Sequence, residues 1–222
     1  YNRCPITKSR YDLTQTLQEF MFPNYRYNLP GGALGWKIHG QSGTSDSHML
    51  KNFAYLKNES VSSKMGMIYV NIPMFTVEDV IINRIEANVM LGEFDKALSD
   101  LNRYYSQRVV NYDPKKHTIT MESTIEVYGM PRWEDIIPYP YYRDELDADV
   151  RKERLIMAVT DLRRMEFMQE GLRWFDIKRF HNPVEHKVHW GGGNIRLERN
   201  DKRRVLQIPQ EAQKVGVEPN ER

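Results

Sequence analysis

The sequence predicts a mainly helical protein with long loops and a small β-hairpin. Two runs of apolar residues at helical spacing lie within residues 76–108 and are separated by a glycine. A third helical run follows, and a triple glycine at residues 191–193 lies between short alternating segments. We expect one domain over residues 1–222, in which a loop-rich segment covers 1–75 and the last helices and hairpin cover 146–222.

The composition argues against several functional classes. A net charge of +2 gives no global argument for nucleic-acid or membrane binding, so we expect no nucleic-acid partner. Lys and Arg outnumber Asp and Glu by fourteen to eight in residues 151–204, which is typical of a solvated helix face. Cys4 is the single cysteine, so the chain has neither an internal disulfide nor a CxxC metal pair. No run is apolar enough to span a bilayer.

Residues 1–75 predict mostly irregular structure. Residues 11–22 are compatible with a short helix, whereas recurring glycines predict a long loop over residues 28–47. Residues 67–74 predict a strand or extended segment that ends at Pro73. A loop of this length is usually functional or belongs to a larger body.

Aromatic residues in the predicted loops are the candidate ligand-binding residues. Flat rings in irregular segments can stack on sugars or peptides. The alternative interpretation is that the rings anchor the long loops onto the helices. The candidates are Trp36, Tyr25, Tyr27, Trp133, Tyr139, Tyr141 and Tyr142.

The first predicted helix starts at a capping signal. Thr76 and Asp79 have the spacing of a capping box, in which each side chain binds the backbone N–H of the other residue. Gly92 lies where a left-handed cap would end this helix. Apolar residues recur between these points at helical spacing and predict the buried face. They are Val77, Val80 or Ile81, Ile85 and Val89.

A second helix is predicted from Phe94 to Gln107. Its apolar positions include Ala97, Leu98 and Leu101. A connection of about two residues makes two helices antiparallel neighbours. The small side chains of Ala87 and Ala97 would allow close approach. Residues 111–144 return to predicted loop, with four prolines.

Charged residues replace apolar residues along one face of the third predicted helical region, Leu146 to Phe180, which we expect to bend at Gly171. The face begins with four apolar residues at 100° per residue. They are Leu155, Ile156, Val159 and Leu162. Farther along, the same face carries Arg163, Glu166, Glu170 and Arg173.

Opposite charges three residues apart on a helix can pair. We therefore expect Arg163 to pair with Glu166, and Glu170 with Arg173, in a buried network that fixes helix register. The alternative is that Glu166 and Glu170 form an acid–base pair. That chemistry needs a substrate cleft, which the pattern does not supply.

A metal site is disfavoured by the spacing of the C-terminal histidines. The segment HNPVEH has one residue too many for an H-x-x-E-H motif, and Pro183 interrupts the helix that this motif requires. We interpret His181, His186 and His189, together with Glu185, as loop residues. We expect no metal and no cofactor.

No pattern argues positively for catalysis. The triple glycine lacks the Lys-Ser/Thr of a phosphate-binding loop. Two acidic pairs, Glu134/Asp135 and Asp144/Glu145, would serve glycoside hydrolysis only if they faced each other across a sugar. The sequence contains no G-x-S-x-G or similar nucleophile motif.

Three stretches together resemble the SusD/RagB family. Asn83 to Asn102 (NRIEANVMLGEFDKALSDLN) is similar to its tetratricopeptide-type hairpin. Leu162 to Phe180 is similar to its signature ERRxEL…EGxRWFDLxR, with Leu162 in place of the first Glu. VLQIPQEA near the end is similar to its closing LPIPxxE segment. The resemblance covers residues 70–210. Its signature residues include Arg163, Glu166, Glu170, Arg173, Trp174 and Asp176.

The resemblance implies the C-terminal portion of a non-enzymatic lipoprotein on the cell-surface face of an outer membrane. Such proteins take part in polysaccharide utilisation. They capture a glycan or oligosaccharide, or sometimes a peptide, and deliver it to a SusC-like TonB-dependent transporter. The family fold has tetratricopeptide-like hairpins, loops that form the ligand site, and a signature motif that is structural. The lipidated cysteine would lie in a preceding N-terminal segment, so Cys4 is not a candidate.

Two other functions remain open at this stage. A helical-repeat module that binds a protein partner would share the hairpin but would have a smooth concave groove. A carbohydrate hydrolase would need two carboxylates across an open cleft. Long aromatic loops favour the glycan-binding hypothesis.

Overall fold

The computed structural model describes residues 29–32, 34–35, 38–40, 47–49, 54–58, 66–70, 74–129, 149–168, 170–187 and 193–221. This part of the chain is mainly helical, as the sequence predicts. Its α-helices are α1 (Val77–Met90), α2 (Phe94–Arg108), α3 (Pro114–His117), α4 (Met121–Gly129), α5 (Val150–Glu166), α6 (Arg173–Arg179) and α7 (Gln210–Lys214).

The described residues also form three antiparallel two-stranded sheets. Their strands are β1 (Ile38–Gly40) with β2 (Ser47–Met49), β3 (Ala54–Asn58) with β4 (Gly66–Val70), and β5 (Val184–Lys187) with β6 (Asn194–Leu197). The strand predicted within residues 67–74 is confirmed as β4. The long loop predicted over residues 28–47 is wrong in part, since β1 lies within it. The possible helix at residues 11–22 lies outside the described residues.

The predicted hairpin of α1 and α2 is confirmed, and the two helices pack against each other. Thr76 and Asp79 form the predicted capping box, with the Thr76 N–H donating to Asp79 Oδ2 at 2.8 Å. Gly92 has a φ of 78°, as expected of a left-handed cap.

The predicted buried face of α1 is confirmed at Ile85 and Val89, and Ile81, the alternative to Val80, packs partly buried against the core, but the start of the face is different. Ile82, Ile85 and Val89 are fully buried, whereas Val77 and Val80 are exposed. Val80 lies about 140° around the helix from Ile85, because five residues at 3.6 per turn leave them on opposite sides. Ala87 and Ala97 were predicted to allow close approach of α1 and α2. This fits Ala97, which is buried on α2, but not Ala87, which is exposed.

Helix α5 packs against α1, α4 and α6 in the core of the described region. Its predicted apolar face is confirmed, since Leu155, Ile156, Val159 and Leu162 are all buried. These side chains pack with Ile82, Ile85, Leu101 and Tyr105 of the hairpin in one hydrophobic cluster. The burial of these large apolar residues is the main favourable contribution to the fold.

The loop predicted over residues 111–144 is wrong for its first half, which contains α3 and α4. Asp113 caps α3 by accepting from the Lys115 N–H at 3.0 Å. The Thr120 N–H donates to Ser123 Oγ at 3.0 Å before α4, which buries Thr124 and Tyr128. Short polar caps therefore form two helices in a segment whose later prolines suggested a continuous loop.

The third helical region is two helices rather than one bent helix. Helix α5 ends at Glu166 and α6 begins at Arg173. Gly171 between them has a φ of 81°, a conformation that interrupts a right-handed helix. Phe167 follows α5 directly and is buried in the core.

The predicted terminal hairpin is confirmed as β5 and β6. The segment after it is not a strand, because Lys202–Arg204 forms a 3-10 turn capped by Asp201. Arg204 is buried and donates to the carbonyls of Ile177 at 3.0 Å and Asn182 at 2.6 Å. This side chain therefore ties the C-terminal segment to the end of α6. Among the described helices, none has the length and apolar character needed to cross a membrane.

Candidate functional site

The predicted ligand-binding aromatics lie outside the described residues. This applies to Trp36, Tyr25, Tyr27, Trp133, Tyr139, Tyr141 and Tyr142, and to the acidic pairs Glu134/Asp135 and Asp144/Glu145. The signature residues Arg163, Glu166, Glu170, Arg173, Trp174 and Asp176 are described. The candidate site is therefore built from these charged residues and their surroundings.

Asp176 on α6 lies at the centre of a buried ion-pair cluster. Its side chain is only 2% exposed and accepts from Arg163 Nε, which lies 3.2 Å from each carboxylate oxygen. Arg179 Nε also donates to Asp176 Oδ1 at 3.0 Å. Two guanidinium groups thus compensate the cost of burying one carboxylate. Because Arg163 belongs to α5, Asp176 joins α5 to α6.

Glu86 extends this cluster to α1. Arg179 Nη2 donates to Glu86 Oε2 at 2.7 Å, and Nη1 donates to the other oxygen, so the pair is bidentate. Arg163 Nη1 donates to Asn83 Oδ1, also on α1, at 2.6 Å. We call Glu86, Arg163, Asp176 and Arg179 the signature cluster. It connects α1, α5 and α6.

A second cluster surrounds Glu166, whose side chain is also 2% exposed. Tyr104 Oη donates to Glu166 Oε2, and Arg108 Nη2 donates to Glu166 Oε1 at 3.1 Å. Arg108 Nη2 also donates to Glu78 Oε1 at 2.8 Å. We call Glu78, Tyr104, Arg108 and Glu166 the Glu166 cluster. It connects α1, α2 and α5.

Burial controls the ionisation of the tyrosines beside Glu166. Desolvation raises the pKa of Tyr104 well above its ordinary range, and the negative charge of Glu166 raises it further. Desolvation also raises the pKa of Tyr105, with added contributions from Asp161 and Glu166. Both phenols stay neutral at physiological pH, so Tyr104 acts as a hydrogen-bond donor to the carboxylate.

The ion pairs predicted within the third helical region are wrong in their partners. In the part of the chain that the structure describes, Arg163 pairs with Asp176 rather than with Glu166. A side chain that points into the core contacts side chains of neighbouring helices rather than side chains of its own helix. Glu170 is exposed on the turn that precedes Arg173. The two residues do not share a helix, because α5 has already ended.

Arg173 and Trp174 lie at the start of α6 and are half-buried. Burial, followed by the nearby positive charge of Arg164, lowers the pKa of Arg173 to about 10. Arg173 lies close enough to Asp176 and Arg163 of the signature cluster to interact with their charges. Neither Arg173 nor Trp174 lies on the groove described below.

The interpretation of the C-terminal histidines and Glu185 as loop residues is wrong for Glu185 and His186, which lie in β5. His181 is exposed, with Nδ1 3.4 Å from the Arg199 carbonyl oxygen. Glu185 accepts from Asn194 Nδ2 and lies 3.9 Å from Arg196 Nη1 across the hairpin. His189 lies outside the described residues. Within the described ranges, no three His, Cys, Asp or Glu side chains are grouped so that they could hold a metal ion.

A shallow polar groove of about 480 Å³ runs between α1 and α2 on the surface. Arg84 and Asp100 form its floor as a bidentate pair, with Arg84 Nε 2.7 Å from Oδ2 and Nη2 2.6 Å from Oδ1. The lining residues are Arg84, Asn88, Asp95, Lys96, Ser99 and Asp100. We call this feature the hairpin groove.

Several of these contact residues were not singled out from the sequence. Tyr104 and Arg108 lie four residues apart on α2, so they share one face of the helix. Two polar residues on an otherwise apolar face were the sequence feature that could have predicted their buried hydrogen bonds. Asn88 and Ser99 gave no signal, because their common groove exists only after the two helices pack.

Comparison with models of known families, with curated proteins and with solved structures finds no match to this chain.

Proposed function

We propose that the chain is part of a SusD-like, non-catalytic glycan-binding protein that delivers its ligand to a TonB-dependent outer-membrane transporter. The observation that carries this proposal is the meeting of the two family-like stretches. Glu86 in the hairpin stretch and Arg179 in the signature stretch are 93 positions apart and form a bidentate ion pair. Two motifs that resemble one family thus act as one structural unit.

The surroundings of the signature residues support a structural role for this motif. Asp176 and Glu166 are buried and are bonded to arginines of neighbouring helices. Acid–base catalysis requires groups that can reach a substrate. The burial of Asp176 and Glu166 within interhelical ion pairs favours a structural role for these two carboxylates.

We place the protein on the cell-surface face of the outer membrane, held by a lipid on a preceding N-terminal segment. There it would bind a glycan or oligosaccharide, or in some cases a peptide, by stacking on loop aromatics and by polar hydrogen bonds. The SusC-like transporter would be its protein partner. Neither a cofactor nor a bond-breaking step is needed for this activity.

The test is a titration of the full-length protein with soluble amylopectin, xylan, mannan and arabinogalactan. We expect one of them to bind, and Trp36→Ala and Trp133→Ala to weaken that binding about tenfold, because a lost stacking platform costs about 1–3 kcal/mol. Phe75→Ala is the matched control, since Phe75 is an exposed aromatic that is not among the candidate ligand-binding residues. Unchanged affinity in both Trp variants would remove those residues from the site.

Two other outcomes would favour other functions. Release of reducing sugar from a polysaccharide would indicate a hydrolase and would contradict the proposal. A protein partner that binds the α1–α2 hairpin, together with no glycan binding, would favour a helical-repeat interaction module. The exposed apolar residues Met90 and Leu91 at the hairpin tip are the observation that keeps this second function open.

A further inference from the structure

All six residues that line the hairpin groove have polar or charged side chains, and their charges balance, although the carbon atoms of these side chains make up more than half of the exposed lining. Arg84 and Lys96 contribute two positive charges, and Asp95 and Asp100 contribute two negative charges. A phosphate or carboxylate would meet two carboxylates, and a cation would meet two basic groups. None of the lining residues has an apolar side chain. The groove therefore suits an uncharged ligand that offers many hydrogen-bonding groups.

The Arg84–Asp100 pair presents free donors and acceptors at one place. Arginine has five N–H donors, and the two bonds to Asp100 leave three of them for other partners. Arg84 is 52% exposed, so these donors face solvent in the groove. Each oxygen of Asp100 also keeps an acceptor position. Adjacent hydroxyls of a sugar can accept from the guanidinium and donate to a neighbouring carboxylate.

The groove is held rigid by elements on both sides. The capping box at Thr76 and the left-handed Gly92 fix the ends of α1, and the bidentate pair fixes its distance from α2. Sites on helices position side chains more accurately than sites on loops. The volume of about 480 Å³ lies in the range of small-molecule sites, about 300–1,000 Å³.

We infer that the hairpin groove is a binding subsite for a short, uncharged stretch of glycan. This inference rests on the proposed function and adds a location to it. Arg84 and Asp100 would bind a pair of adjacent hydroxyls, while Asn88 and Ser99 would donate and accept at the groove walls. The subsite would act by hydrogen bonding, in contrast to the aromatic stacking proposed for the loops.

The test uses the full-length protein and the same four polysaccharides. Ser99→Trp places a large ring in the groove, and because Ser99 is exposed we expect the fold to tolerate it. Asn88→Ala removes a lining amide without adding bulk. We expect Ser99→Trp to weaken binding at least tenfold and Asn88→Ala about threefold. Gln107→Trp is the control for Ser99→Trp, because Gln107 is exposed near the end of α2 and lies outside the groove. This variant should bind polysaccharide with the affinity of the unmodified protein.

The outcomes separate the two proposals. If the unmodified protein binds a polysaccharide while Ser99→Trp and Asn88→Ala bind equally well, the groove is not a subsite and the proposed function stands. If the unmodified protein binds none of the four, the proposed function fails and the subsite fails with it. Equal thermal midpoints for Asn88→Ala and the unmodified protein would show that a weakened affinity is not a folding defect.

Discussion

Glu166 and Glu170 are four residues apart in the sequence but have different surroundings. Glu166 is buried and binds Tyr104 and Arg108, whereas Glu170 is exposed on the turn after α5. Removing a buried carboxylate by substitution leaves its buried hydrogen-bonding partners without the negative charge that compensates them. An exposed carboxylate has water as an alternative partner. The two residues should therefore contribute unequally to stability.

We predict that Glu166→Ala lowers the free energy of unfolding by about 2 kcal/mol, because it leaves the buried Tyr104 hydroxyl without its acceptor and Arg108 with Glu78 as its carboxylate partner. Glu170→Ala is the matched control and should change it by less than about 1 kcal/mol. Urea unfolding measures both values. Equal losses in the two variants would mean that burial does not distinguish these residues.

A second prediction at this scale concerns alkaline pH. Burial raises the folded-state pKa of Tyr105, so the unfolded chain releases the proton first as pH rises above about 10. The folded state then binds more protons, and the free energy of unfolding falls by at most about 1.4 kcal/mol per pH unit for this group. The contribution of Tyr104 has the same sign.

Arg173 acts in the opposite direction, because its folded-state pKa is lowered and its destabilising effect is relieved as pH rises past about 10. Tyr105→Phe removes one of the two tyrosines and should flatten the decline. Urea unfolding at three pH values from about 9 to 11 measures the slope. An unchanged slope in Tyr105→Phe would show that this phenol is not responsible.

At the scale of elements, Gly171 decides that α5 and α6 are separate. Its φ of 81° is a conformation that L residues adopt at a cost of about 1–2 kcal/mol. A Cβ at Gly171 would have no heavy atom within 4 Å, so strain is the only expected penalty. We predict that Gly171→Ala lowers the free energy of unfolding by about 1 kcal/mol.

The control for this prediction is Gly129→Ala at the end of α4. A Cβ there also meets nothing within 4 Å, and Gly129 lacks a positive φ. Alanine should be neutral or slightly stabilising at that position, because it restricts the unfolded chain. A loss at Gly129 as large as that at Gly171 would contradict the assignment of strain to the turn.

The sequence predicts helix ends and the hairpin, because these structures are set by residues within a few positions of one another. The capping pair Thr76 and Asp79, the left-handed Gly92 and the alternation around residues 191–193 each specify a structure within a few residues. The same logic would have found α4, since Thr120 and Ser123 bond reciprocally before it. The four prolines in residues 111–144 favour loop structure, and the expectation of a continuous loop followed from them rather than from that cap.

Contacts between elements could not be predicted in this way. A helical wheel places Arg163 on the buried face but does not say that Asp176 will lie opposite it. The break at Gly171 separates Glu170 from Arg173, so the two residues are not neighbours on one helix face. The predicted pairing between them is therefore wrong. The hairpin groove exists only because α1 and α2 pack with Arg84 opposite Asp100.

At the scale of the whole molecule, charged side chains connect elements that are far apart in sequence. The Glu166 cluster joins α1, α2 and α5, and the signature cluster joins α1, α5 and α6. Helix α1 takes part in both. The charged residues of these two clusters therefore hold together helices that are far apart in sequence.

The most direct test of this connection between helices is a double-mutant cycle between Glu86 and Arg179, using Glu86→Gln, Arg179→Gln and the double variant. Arg179 is 41% exposed, which reduces the energy of the pair, but its bidentate geometry favours a measurable interaction. We predict a coupling energy of about 1 kcal/mol in urea unfolding, with unchanged polysaccharide affinity in the full-length protein. Additive effects on stability, or lost affinity without lost stability, would contradict the account.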